Sequence, residues 1–228
     1  MREFVFIDSL DEDAQGEHYR TGEDFDAVLN AFSFPPPEAK TDKVDVPGAD
    51  GTLDVSTALT DGVMRYNDRE GEIKLILVGV DWRKQLDRLT NALHGKKLYF
   101  CPPDDEWWYY GYIRVKGNPG INYCEVSLSC NCEPWRYSKD MNITVFELGA
   151  AAVTKKLRNH GRRVAIPNIT IEAGITVSIT DGSSTLTGLT GGKEYKLVEY
   201  PISEKGITLT LTGSASGTAV ISFREAIL

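Results

Sequence analysis

The sequence predicts a mainly β protein of two domains with one packed helix. Two textures predict it. Between Val44 and Tyr137 the residues spell hairpin, strand, short helix and strand meander, in that order. Beyond Gly161 the chain changes to short β-branched runs separated by glycines, the pattern of a small β-sandwich. Charge changes with it: residues 1–147 hold 16 Lys and Arg against 27 Asp and Glu, whereas residues 148–228 hold 9 against 6. The expected division is therefore 1–148, a linker at 149–161, and 162–228.

Phe4-Val5-Phe6-Ile7 is the first expected strand. Residues 8–26 carry eight carboxylates against Arg20 alone and read as loop with one short structured piece. Phe32-Ser33-Phe34-Pro35-Pro36-Pro37 is extended, because each proline blocks helix and biases its predecessor away from it. A hairpin follows. Val44-Asp45-Val46 and Thr52-Leu53-Asp54-Val55 alternate apolar and polar around Pro47-Gly48-Ala49-Asp50-Gly51, a turn rich in residues suited to tight geometry.

Residues 72–80 form a longer strand, and one helix is expected between Asp81 and Gly95. Trp82, Leu86, Leu89 and Leu93 make its buried stripe, with Asp81 as N-cap, Gly95 as C′ residue, and His94 placed to favour the helix dipole. Strands at 98–100, 107–115 and 123–132 complete the meander, which closes on Glu133-Pro134-Trp135-Arg136-Tyr137. In the last strand Cys124, Val126, Leu128, Cys130 and Cys132 share one parity, and polar residues take the other. That period assigns these cysteines to the core rather than to zinc, and Cys101 completes the set of four.

A strand at 142–148 ends the expected first domain. Six strands are expected beyond the linker, within 163–173, 175–180, 185–189, 194–198, 206–212 and 218–224. Ile207, Leu209 and Leu211, with Ala219, Ile221 and Phe223, give the last two a core face.

Little here points to catalysis, and no enzyme is expected. His18, His94 and His160 stand in unlike contexts without ligand spacing, and neither a nucleophile elbow nor a phosphate-binding glycine loop is present. Asp104-Asp105-Glu106, the best carboxylate cluster, follows two prolines and reads as a turn. Hydrophobic content of 41% suits a folded protein, and no apolar run approaches the roughly 20 residues of a membrane helix. Met1-Arg2-Glu3-Phe4 lacks the look of a signal peptide, so folding in the cytoplasm is expected. The acidic first domain argues against a grip on nucleic acid.

In the aromatic strand Trp107, Tyr109, Gly111, Ile113 and Val115 suit the core. Trp108, Tyr110, Tyr112 and Arg114 take the other face. Rings on that face suit a subunit interface, or sugar stacking if the chain is instead a carbohydrate-binding β-sandwich module.

The order of elements resembles the N-terminal domain of the distal tail proteins of long, flexible-tailed bacteriophages. It rests on the run Val46-Pro47-Gly48-Ala49-Asp50-Gly51-Thr52-Leu53-Asp54, on Tyr110-Gly111-Tyr112, and on Pro134-Trp135-Arg136-Tyr137, and it extends over residues 162–228. The resemblance implies a β-sandwich or barrel-like, ring-forming first domain with a protruding hairpin arm, and a galectin-like second domain. It implies a virion tail-tip protein assembled in the host cytoplasm, six to a ring, from an active phage or a prophage. Its partners would be the tail tube, the adhesin or hub and the tape measure, while DNA passes through the bore without specific binding. The implied interface residues are Val44, Val46, Leu53 and Val55 on the arm, beside Trp108, Tyr110 and Tyr112. No cofactor, metal or membrane is implied.

Overall fold

The computed structural model describes residues 2–11, 16–48, 50–60 and 62–228. The chain divides into two units, one running to Arg136 and including Leu228, the other Tyr137–Ile227.

The first unit contains β1 (Val5–Ile7), β2 (His18–Arg20), β3 (Ala27–Ser33), β4 (Lys43–Asp45), β5 (Thr52–Asp54) and β6 (Arg69–Val78). The helix α1 (Trp82–Leu93) is followed by β7 (Lys97–Cys101), β8 (Trp107–Pro119) and β9 (Tyr123–Cys132). Seven of these strands form one antiparallel path, β2-β1-β7-β8-β9-β6-β3. The path curls. Phe4, just before β1, meets Phe32 of β3 edge-on at 5.2 Å, although the two strands lie near opposite ends of the order. Thr21, fully buried, links those ends: it receives the Phe4 N–H on its hydroxyl and the Ala27 N–H on its carbonyl. The result is barrel-like, as expected.

Parity then sorts the core. Ile73, Leu75 and Leu77 of β6 face Cys124, Val126, Leu128, Cys130 and Cys132 of β9, and all are buried. Burial pushes the Cys132 thiol up to about 12 and raises Cys130 further, as the apolar surroundings disfavour thiolate. All four cysteines are free thiols. α1 buries Trp82, Leu89, Ala92 and Leu93 against this core. It fits closely because Gly117 of β8 leaves room: a Cβ there would come within 2.8 Å of Leu86 Cδ2.

Two details at the helix ends differ from expectation. Asp81 occupies the N-cap position but makes no side-chain cap; its carboxylate pairs with Lys84 at 3.2 Å. His94, expected to favour the dipole, has its Nδ1 accepting the Val115 N–H at 3.1 Å. Gly95 ends the helix at φ +76 and donates its N–H to Ile113 at 2.8 Å, so both residues tie the helix end to β8. Among the described residues the acidic stretch supplies one short strand, β2. Strand β3 escaped the sequence reading because a bulge between Leu29 and Ala31 breaks its alternation.

The second unit takes up the chain at β10 (Arg136–Ser138) and adds β11 (Asn142–Leu148), β12 (Val153–Leu157), β13 (Asn168–Ile171) and β14 (Thr176–Thr180). Then come β15 (Thr185–Thr190), β16 (Glu194–Lys196), β17 (Ile207–Gly213), β18 (Gly217–Phe223) and β19 (Ala226–Ile227). Two four-stranded sheets, β11-β18-β13-β16 and β12-β17-β14-β15, enclose one core. Tyr200 is fully buried within it, and its hydroxyl donates to the Ile179 carbonyl at 3.0 Å.

This corrects the expected division at 148 and the linker at 149–161. β11 pairs with β18 along its whole length, burying Phe146 and Leu148. β12, inside the supposed linker, pairs with β17 and buries Leu157. Without them each sheet would lack an edge strand and the core would lie open. The charge step misplaced the boundary because Asp140 and Glu147, counted with the acidic half, belong to the sandwich.

Leu89→Ala should destabilise the protein by about 2–5 kcal/mol in denaturant titrations, since it removes a fully buried branched side chain. Asp87→Ala, on the exposed side of α1, should leave the midpoint in place; equal losses would mean the helix is packed the other way. The thiols predict a pH effect. Above about pH 8.5 the unfolded chain ionises its cysteines while Cys130 and Cys132 stay protonated in the fold. The unfolded state then binds fewer protons, so stability falls as pH rises from 8 to 9.5. The double variant Cys130→Ala, Cys132→Ala should lose part of that slope, and an unchanged slope would contradict the assignment.

Candidate functional site: the hairpin arm and the outer face of the sheet

Between β3 and β6 the chain leaves the sheet, and no described residue from Pro35 to Asp68 is buried. Its base is a short antiparallel ladder in which Lys40 N–H donates to Arg65 and Asn67 N–H to Glu38, each at 2.8 Å. Its outer part is the β4–β5 hairpin, with Val44 opposite Leu53 and Lys43 opposite Asp54. Gly48 and Gly51 take φ of +85 and +80 in the turn, which glycine adopts without strain; Ala49 between them lies outside the described residues.

An isolated hairpin is marginal in water, so local polar bonds matter here. Ser56 donates its hydroxyl and N–H to Asp54 Oδ1, and its Oγ accepts the Asp42 N–H at 2.8 Å. Those bonds hold the Asp54 carboxyl below its usual range. Val44, Val46 and Leu53 remain exposed and Val55 half-buried. Period 2 puts these apolar side chains on one face.

The exit run steadies the arm's foot. Trp135 meets Tyr66 edge-on at 5.9 Å. Arg69, at the foot, is 4% exposed, stands 5.3 Å from the Tyr109 ring centre, and donates Nη2 to the Pro134 carbonyl at 3.0 Å. Desolvation is the main influence on it and lowers its pKa. Arg136 approaches the same ring at 5.8 Å and pairs with Asp105 at 3.2 Å. Sequence reasoning named Arg136 in the exit run without assigning it a partner, and missed Arg69. The signal was present in Pro134-Trp135-Arg136, but the partner Arg69 lies 65 residues from Pro134.

The aromatic face holds one surprise. Trp108, expected on the outer surface, is 7% exposed, and its neighbour Tyr109 is buried too. Both sides of β8 are covered at its start, so parity does not sort inside from outside there. Tyr110 is half-buried and stacks on Tyr99 at 4.2 Å. The Lys97 ammonium lies 4.2 Å above it and bonds Glu133 at 3.0 Å. Desolvation pulls the Lys97 pKa down, but the Glu133 bond and charge outweigh it and the net shift is upward. Tyr112, at 54% exposure, is the one open ring of the three. It borders an open groove of about 660 Å³ at the arm's foot, with Ser33, Pro35, Glu72 and Arg114. A sugar platform on this face of β8 would have Tyr112 to stack on.

The carboxylates of the turn after β7 point to different partners. Asp104, at φ +65, pairs with Arg2 at 3.1 Å, while Asp105 accepts the N–H groups of Glu106 and Trp107. His18 sits in β2, His94 on β8's backbone, and His160 against Glu225 at 3.1 Å in the second unit. Among the described residues no group of three His, Cys, Asp or Glu is placed to hold a metal.

No protein-family profile and no curated protein sequence matches the chain. Solved structures do. The crystal structure of the SPP1 Dit (gp 19.1) protein, presented as a paradigm of the hub adsorption apparatus in phages infecting Gram-positive hosts, aligns with TM-score 0.65 at 16% identity. The match covers 99% of this chain and 99% of that one. A chain of the phage P2 baseplate, in its activated conformation with Ca, aligns with TM-score 0.53 at 9% identity, covering 99% and 98%. The protein therefore has the Dit-like fold, both units included.

Proposed function

We propose that this protein is a structural component of a phage tail tip or baseplate. Copies of it close into a ring of six that joins the tail tube to the adhesion hub and lets DNA pass. The observation that carries this reading is the fold likeness to SPP1 Dit over 99% of both chains.

The arm supports it. An apolar strip on a projecting hairpin is a liability in a solitary protein, because it invites association. A heterologous contact repeated around an axis converts that liability into a closed ring. The first unit also suits a passage for DNA. It carries 15 Lys and Arg against 25 Asp and Glu, so it offers phosphates little to hold. In this reading the partners are the tail tube, the hub or adhesin and the tape measure, the location is the virion tail tip after assembly in the host cytoplasm, and the protein is not an enzyme.

Native mass spectrometry at micromolar concentration tests the reading. A single closed hexamer is expected, and a monomer at all concentrations would overturn it. Replacing residues 45–54 with a Gly-Ser linker should keep the melting temperature, as the segment buries nothing, yet yield monomers. A ring that survives the replacement removes the arm from assembly.

A further inference from the structure

We propose that the groove on the outer face of β6, β9 and β8 is a binding site for a neutral saccharide. All the residues that build it belong to the first unit of one chain, so the site stands independently of the ring.

The groove is built by register. On the face opposite the core, Glu72 of β6, Ser129 of β9 and Arg114 of β8 form one cross-strand row, and Glu70, Asn131 and Tyr112 form the next. Long side chains thus stand on β6 and β8, whereas Ser129 and Gly71 put little between them. Strand β9 separates the two walls, which are therefore two strand spacings apart, about 9–10 Å. Ser33 and Pro35 border the space on the β3 side. Its volume of about 660 Å³ is that of a small-molecule site.

The two walls differ in chemistry. On β6 the carboxylates are acceptors, and Glu72 is fixed in place: its Oε1 takes the Ser127 hydroxyl and its Oε2 stands 3.4 Å from Lys74. The Ser127 bond foremost holds that carboxyl below its usual range. On β8 stand the Arg114 donors and the open Tyr112 ring, with Lys97 at 5.8 Å from the ring centre on the β7 side. Asn131 between them both donates and accepts. Among the described residues no side-chain hydrogen bond or ion pair engages Glu70, Arg114 or Asn131. These groups select the occupant. Saccharide hydroxyls donate to carboxylates and accept from a guanidinium, and the C–H face of a pyranose covers an aromatic ring. A phosphate or an acidic glycan would face two carboxylates, and a basic side chain of a protein partner would face Arg114. An apolar side chain would desolvate polar groups on both walls. A neutral, hydroxyl-rich ligand meets every one of these groups and leaves no charge opposed.

A glycan array probed with the fluorescently labelled full chain tests the ligand class. Binding is expected to neutral oligosaccharides built from glucose, galactose, rhamnose or N-acetylhexosamine units. No binding, or binding to anionic glycans only, overturns the proposal. Titration calorimetry with the strongest neutral oligosaccharide on the array then locates the site. Tyr112→Ala should weaken that binding about tenfold and Tyr112→Phe much less, because the ring makes the contact. Asn131→Ala should weaken it about three- to tenfold through lost hydrogen bonds. Both side chains are exposed, so the melting temperatures should stay at the wild-type value. Wild-type affinity in both alanine variants would put the sugar elsewhere on the protein and overturn the proposal. Native mass spectra of the same samples judge the ring separately, so either reading can fail without the other.

Discussion

The antiparallel register of β6 against β9 is the constraint on which the first unit depends. Ten consecutive pairs, from Arg69 with Cys132 to Val78 with Tyr123, put three branched side chains and five small or apolar ones on one face. A slip of one residue would turn all of them outward and bring Glu72, Lys74, Ser127 and Ser129 into the core. Burial on that face is the dominant favourable term, and it holds one register against its neighbours. The seat for α1 follows, because Leu89 and Leu93 need that same apolar floor and Leu86 needs Gly117 without a side chain.

The same register decides what the outer surface presents. With the apolar set inside, Tyr112, Arg114, Glu72 and Lys74 are left outside, and the strand's two ends differ in character. At one end Arg69 is drawn inward against Tyr109 and anchors the exit run and the arm's foot. At the other, the strand ends on exposed Val78. A buried arginine is expensive to desolvate unless its donors are met, and the Pro134 carbonyl and the Tyr109 ring supply part of that need. The arm is held to a definite foot by side-chain packing while its own hairpin relies on Ser56 and backbone bonds.

The second unit solves a different problem. Its strands are short, and each sheet reaches four only by drawing β11 and β12 from the segment that joins the two textures of the sequence. Both faces of the core are then covered, and Tyr200 lodges inside with its hydroxyl satisfied by Ile179. A sandwich of this size has no spare strand, so the chain between the units is brief.

By itself the sequence determined the elements whose period is clean. The buried parity of β9, the helix stripe at Trp82, Leu86, Leu89 and Leu93, the β4–β5 hairpin and the core faces of β17 and β18 are all legible, because side-chain direction follows from local backbone geometry. Tertiary structure decided the rest. Which strands are neighbours, that β11 and β12 belong to the sandwich, that Trp108 is covered and that Arg69 meets Pro134 all depend on contacts between residues far apart in the chain. Local propensity carries no information about such partners. The arm's residues could be read from the sequence, but its foot beside Arg69 could not, since a strand's end acquires its position only when its neighbours are in place.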